Sequence, residues 1–150
     1  MNSRRDVPHL RAQAQDHLRR AEFSLTHQEY AVVVHYAQLA LEISAKTIIS
    51  YYYEPHWSHD PSGDLLNVIR ANGKTLEQRL GKATVRAMRR LATDAKQYAP
   101  WHTWSTYGLD EPDEAYQSPD DLCTAAVVAD LMPRARHAIA LALRFADLFA

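Results

Sequence analysis

A single cysteine, Cys123, stands among 150 residues. That excludes an internal disulfide and leaves no thiolate set for a zinc site. Four glycines and seven prolines beside 47% hydrophobic residues exclude a collagen-like, disordered or coiled-coil chain. Charge of one sign is also missing. Seventeen basic residues face eighteen acidic ones, a net −1, so no global field draws the protein onto nucleic acid or a membrane. The opening residues 1–8 carry no apolar signal segment. No uninterrupted apolar run reaches the roughly 18 residues of a membrane span. The expectation is a cytoplasmic protein that does not enter membranes. No internal repeat, low-complexity tract or convincing strand is visible.

What is present is helical periodicity. At this length, one globular domain buries roughly 70% of its unfolded surface. Leu10, Ala14, Leu18, Ala21 and Leu25 recur at helical spacing over about residues 9–26. A second helix is predicted over 28–53, with Val34, Ala37, Leu41, Ala45, Ile48 and Tyr52 in one row. His35, Gln38, Glu42 and Lys46 form its narrow polar stripe. A helix with so little polar face belongs at the centre or at a subunit interface. Glu54-Pro55 ends it. A short third helix from Ser62 or Asp64 is expected to close at Asn72-Gly73. Thr75 then caps a fourth over 75–98, with Leu76, Leu80, Ala83, Ala87, Leu91 and Tyr98 inward.

Residues 99–117 read as irregular, holding Pro100, Trp101, Trp104 and Pro112. Ser118-Pro119-Asp120-Asp121 is a strong start for a last helix to about 149, bent near Pro133. The fold class is all-α: one domain over residues 1–150, a bundle of about five helices.

Charge is unevenly placed. Residues 70–96 hold eight basic and two acidic side chains, a local +6; residues 110–121 hold six acidic ones and no Lys or Arg, a local −6. Such segments either attract partners of opposite sign or satisfy each other.

The second helix carries Tyr30-Ala31 and then His35-Tyr36-Ala37-Gln38-Leu39-Ala40-Leu41-Glu42-Ile43-Ser44-Ala45-Lys46, followed by a His59-Asp60 loop before Leu65-Leu66. This resembles the HEPN family of small helical bundles, whose second helix reads A-x-x-A-x-E-x-x-x-K before an H-D/S-L loop. Tyr98-Ala99-Pro100 before Trp101 resembles the family's R-Y-P segment, and the likeness runs from about residue 9 to 147. The resemblance implies one of three roles: RNA cleavage, pairing with a minimal nucleotidyltransferase as toxin and antitoxin, or noncatalytic binding. It also implies a dimer built on the long helices. Ribonuclease members use Arg-x(4–6)-His on the last helix, where arginine steadies phosphate and histidine moves a proton. Here that helix reads Arg134-Ala135-Arg136-His137, so the spacing is missing. Arg11…His17 and Arg20…His27 have it, on other helices.

Several constellations carry candidate chemistry. Arg86 and Arg90, on a stripe with Arg79 and Lys82, suit a phosphate backbone, and Trp101, Trp104 and Tyr107 suit base stacking. The plain alternative is a solvated helix face and a loop pinned by its aromatics. Lys46 and His59 join the ligand-binding candidates through the family pattern, although Glu42 and Lys46 at i,i+4 read first as a surface ion pair. His56, His59 and Asp60, with His102 as a fourth ligand, are the alternative metal set; His-Asp in that loop needs no metal in the family. Cys123 sits near a helix start that can lower a thiol pKa, with packing as its plainer role. Arg134, Arg136 and His137 read as a compact cationic group, facing a nucleotide or neutralising Asp130 or Asp120–Asp121 across a dimer. Arg134 and His137 are the alternative catalytic pair.

The reading is therefore a homodimeric, noncatalytic binding module without a cofactor, engaging a minimal nucleotidyltransferase, a nucleotide or RNA. A metal-independent ribonuclease and a dimeric helical scaffold without a ligand are its alternatives.

Overall fold

Packing of one apolar helix organises the chain. The computed structural model describes residues 6–149; residues 1–5 of the expected polar lead-in lie outside the described residues. Seven helical segments follow in order: α1 (Val7–Thr26), α2 (Tyr30–Ile49), α3 (Ser62–Leu80), α4 (Lys82–Tyr98), α5 (Trp101–Tyr107), α6 (Pro119–Leu122) and α7 (Ala125–Leu148). Among the described residues there is no strand, only an isolated antiparallel bridge between Leu109 and Gln117. The all-α expectation holds.

Helix α2 is central. Val33, Val34, Ala37, Leu41, Ala45, Ile48 and Ile49 are buried, and α2 packs most extensively on α1 and α7. Gln38, Glu42, Ser44 and Thr47 are buried too. Ser44, Thr47 and Ser50 donate to the carbonyls of Ala40, Ile43 and Lys46 at 2.6, 2.8 and 2.8 Å, which satisfies hydroxyls that would otherwise be costly inside. An 18-residue window of α2 has a mean hydropathy of 1.2 and two thirds of it is buried. By length and composition this segment is apolar enough to cross a membrane, although no unbroken apolar run reaches that length. The helix ends at Ile49 rather than 53; residues 50–53 continue as turns.

The largest departure from expectation lies in the next two helices. Helix α3 runs straight through Asn72-Gly73 to Leu80, and the break falls at Gly81. Gly81 has φ +86° and ψ 157°, a backbone region essentially restricted to glycine. Burial of Leu65, Val68, Ile69, Leu76 and Leu80 along one face outweighs the roughly 1 kcal/mol that Gly73 costs in a helix interior. Because the break resets the helical phase, α4 buries Val85, Met88, Leu91, Ala92 and Ala95, while Ala83 and Ala87 are exposed.

Residues 99–117 are not wholly irregular either. Pro100 leads into α5, which Gly108 ends at φ +80°. A Cβ on Gly108 would meet the Gln117 carbonyl at 2.2 Å, so the acidic loop 110–116 closes only over a glycine. The Ser118 signal is real, with a complete capping box through Asp121, but it starts only the four-residue α6. Thr124, whose side chain accepts from Val127 N, caps α7, and Pro133 lies inside that helix.

Candidate functional site

Two side-chain clusters stand out, on different faces. The first is a groove of about 420 Å³ between α4 and α7, lined by Arg86, Arg90, Asp94, Arg134 and His137 over Leu91, Ala138 and Leu141. Successive turns of α4 place Arg86 and Arg90 about 6 Å apart along its axis. Neither makes an ion pair among the described residues. Arg134, by contrast, is occupied. Its guanidinium lies 2.5 Å from Asp94 on α4 and 3.1 Å from Asp130 one turn back, and Tyr98 donates a hydrogen bond to Asp130. That hydrogen bond, with Arg134 beside it, holds Asp130 below the usual carboxylate value. Arg136 is bound by Glu22 of α1 at 2.6 Å. Arg134, Arg136 and His137 therefore do not form one free cationic group. Asp130 is engaged within its own chain.

The expected union of this groove with the aromatic segment does not form. Trp101, Trp104 and Tyr107 do not line it; α4 separates Arg86 from Tyr98 by twelve residues, roughly 18 Å of helix. Trp101 and Trp104 are half-buried and pack edge to face at 5.2 Å, while Tyr107 is exposed. Nor do the +6 and −6 segments satisfy each other: no ion pair among the described residues joins them.

The second cluster is a row of histidines. His59 donates from Nδ1 to the Glu42 carboxylate at 2.8 Å, and Glu42 is only 3% exposed. The Glu42–Lys46 surface pair is thus absent, because the acid faces inward to the loop. His59 stacks on His102 with ring centroids 3.6 Å apart. His102 lies 5.7 Å from His35, which meets Tyr36 at 5.3 Å, and Tyr36 stacks on His17 at 5.8 Å. Burial pushes His17, His35 and His102 below the usual imidazole value; His59 adds to the effect at His102, and His17 at His35. Among the described residues, the Nδ1 atoms of His17 and His102 are buried without a hydrogen-bond partner. His102 is visible in the sequence only as a possible fourth metal ligand, and His35 only as part of a polar stripe. No short-range spacing links them, since α1, α2, α5 and the 50–61 loop each supply a member.

The metal set does not assemble. His56 pairs with Asp64 at 2.8 Å, His59 with Glu42, and Asp60 accepts from the Ser62 amide. Among the described residues no group of three or more His, Cys, Asp or Glu side chains is placed to hold a metal ion. Lys46, His56 and His59 instead border a cavity of about 490 Å³ beside α1, with Trp57 at its rim. Cys123 is buried, and burial pushes its thiol up to about 11, against the lowered value a helix start suggested.

A glycine-poor helical bundle with a basic groove and a Glu-x-x-x-Lys central helix defines a small α-helical domain class. The HEPN domain family matches residues 7–116, and the chain belongs to it. The matched span ends before α6 and α7, short of the likeness read from the sequence. No curated protein and no solved structure matches the chain.

Proposed function

We propose that this HEPN domain is a noncatalytic binding module, a homodimer that takes the phosphate groups of a nucleotide or RNA in the α4–α7 groove. Its protein partner is a minimal nucleotidyltransferase, the pairing that the family resemblance implies, in a toxin–antitoxin setting. The observation that carries the reading is the division among the arginines. Arg86 and Arg90 carry no ion pair among the described residues and border an open groove, whereas Arg134 and Arg136, beside His137 in sequence, are held by Asp94, Asp130 and Glu22. Free cations bind phosphate. Arginines already neutralised do not steady a phosphodiester for a neighbouring histidine.

The test has two arms. A labelled single-stranded RNA, and separately ATP, is titrated against the wild type and the Arg86→Gln/Arg90→Gln variant. The RNA is then incubated with the protein, with and without divalent ions. Binding weakened about tenfold by the double substitution, about 1.4 kcal/mol, without cleavage supports the reading. Binding that the double substitution leaves unchanged puts the ligand outside this groove, and absent binding leaves a scaffold without a ligand. A second reading is favoured by the place of His137, which shares the groove with Arg86 and Arg90: a ribonuclease pair assembled across two helices is geometrically open. Cleavage abolished by His137→Ala establishes it in place of the first.

A further inference from the structure

We propose that the row of His17, His35, His102 and His59 is a proton-operated latch. It holds α5 against α2 at neutral pH and releases α5 on acidification, baring Trp101 and Trp104. Each ring comes from a different element, so the row spans the joints between α1, α2, α5 and the 50–61 loop. The spacing is tight: 3.6 Å between His59 and His102, and 5.7 Å between His102 and His35. Neutral imidazoles stack at such distances, whereas two imidazolium rings repel.

The surroundings offer little to neutralise added charge. His102 faces His35, Glu42 and Lys46 on α2 and His59 in the loop. Glu42 is the single carboxylate among these, and it already accepts from His59. His35 faces His17, and among the described residues only the Ser105 and Thr106 hydroxyls of α5 lie near its Nδ1, at 3.4 and 3.3 Å. His17 faces Asp16 and Arg20 of its own helix, and Asp16 is engaged by Arg19 and Arg20. Helix α6, also packed on α5, brings Asp120 and Asp121; Asp121 is committed to the Ser118 cap. Protonation of His102 and His35 therefore adds like charges where one engaged carboxylate is in reach. The joint that separates them most cheaply is the seven-residue α5, a short helix followed by a loop closed through one bridge.

The sign follows from burial. His17, His35 and His102 sit below their ordinary 6.5 in the folded state, so the docked form binds fewer protons than the released form. Docking is complete above that value and weakens as pH falls through it.

The tryptophans of α5 report the event directly. In a Trp57→Phe background, emission and acrylamide quenching of Trp101 and Trp104 are followed from about pH 7.5 down to about pH 5, with far-UV circular dichroism alongside. The latch predicts a red shift and rising quencher access below pH 6.5 while most helical signal persists. His102→Gln shifts that transition to lower pH or removes it, and His35→Gln does the same should the first variant fail to fold. His27→Gln, outside the row, leaves it in place. Indole emission and access that stay flat down to about pH 5 overturn the proposal. So does a change that coincides with loss of the whole helical signal, or one that both row variants leave unmoved.

Discussion

Glu42 and His59, seventeen positions apart, are joined by a 2.8 Å hydrogen bond that ties the loop after α2 back onto its buried face. The carboxylate is 3% exposed and the imidazole 56%, so the two partners stand in unequal positions. The acid depends on the histidine for its only side-chain hydrogen bond among the described residues, whereas the histidine reaches water without the acid.

That inequality predicts which deletion hurts. His59→Ala leaves a buried carboxylate unpaired and is expected to cost about 2–3 kcal/mol. Glu42→Gln keeps an acceptor in place, frees His59 to hydrate, and costs less than about 1 kcal/mol. Urea denaturation of the two variants decides it. Equal losses would mean that the hydrogen bond contributes no more than its packing.

Gly73 inside α3 and Gly81 at its exit give opposite expectations. Gly73 is inside α3, and a Cβ added there would have nothing within 4 Å, so Gly73→Ala raises stability by about 0.5–1 kcal/mol. Gly81, at φ +86°, also has open space, yet Gly81→Ala forces an L-residue into a glycine-only conformation and costs about 1–3 kcal/mol. Thermal melts that move in the same direction for both would contradict the placement of the break.

These glycines also show how much of the fold is legible in the sequence. Helix α2 is readable because its apolar row is long and nearly continuous, and Val34, Leu41 and Ile48 are fully buried as that row requires. The α3–α4 boundary is not. Asn72-Gly73 is chemically the better stop signal, and only the tertiary burial of Leu76 and Leu80 carries the helix past it. The groove is half legible: the basic stripe reveals Arg86 and Arg90, while sequence adjacency misplaces the tryptophans, which sit on α5, past the far end of α4. The histidine row is opaque, because contacts among His17, His35, His59 and His102 depend on three-dimensional packing of four elements.

Arg134 supplies a stability test independent of ligand. Its partner Asp94 is 5% exposed, so Arg134→Met strands a buried carboxylate and is expected to cost about 3 kcal/mol. Adding Asp94→Asn restores much of that loss, because the uncompensated charge is gone. The neighbouring Asp130, also bound to Arg134, sets an acid limit. Asp130 is held below 3.8 by Tyr98 and Arg134, so its contribution is present above that pH and fades as pH falls through the depressed value. A double-mutant cycle with no coupling between positions 94 and 134 would remove this ion pair from the account of how α4 and α7 are joined.

Salt dependence distinguishes the groove from the aromatic segment. Arg86 and Arg90 are spaced one turn apart along α4, about 6 Å, so the proposed function assigns each its own phosphate on an extended strand. For single-stranded RNA, the slope of log affinity against log salt falls by about 0.7 for each phosphate no longer neutralised. The Arg86→Gln/Arg90→Gln variant is therefore expected to lower the slope by about 1.4, with glutamine preserving helix propensity. Trp101→Phe and Trp104→Phe leave both slope and affinity unchanged, since neither indole borders the groove. Affinities measured across a salt series for all three variants check this. A tryptophan variant that weakens binding while the arginine variant does not would move the ligand to α5 and away from the α4–α7 groove.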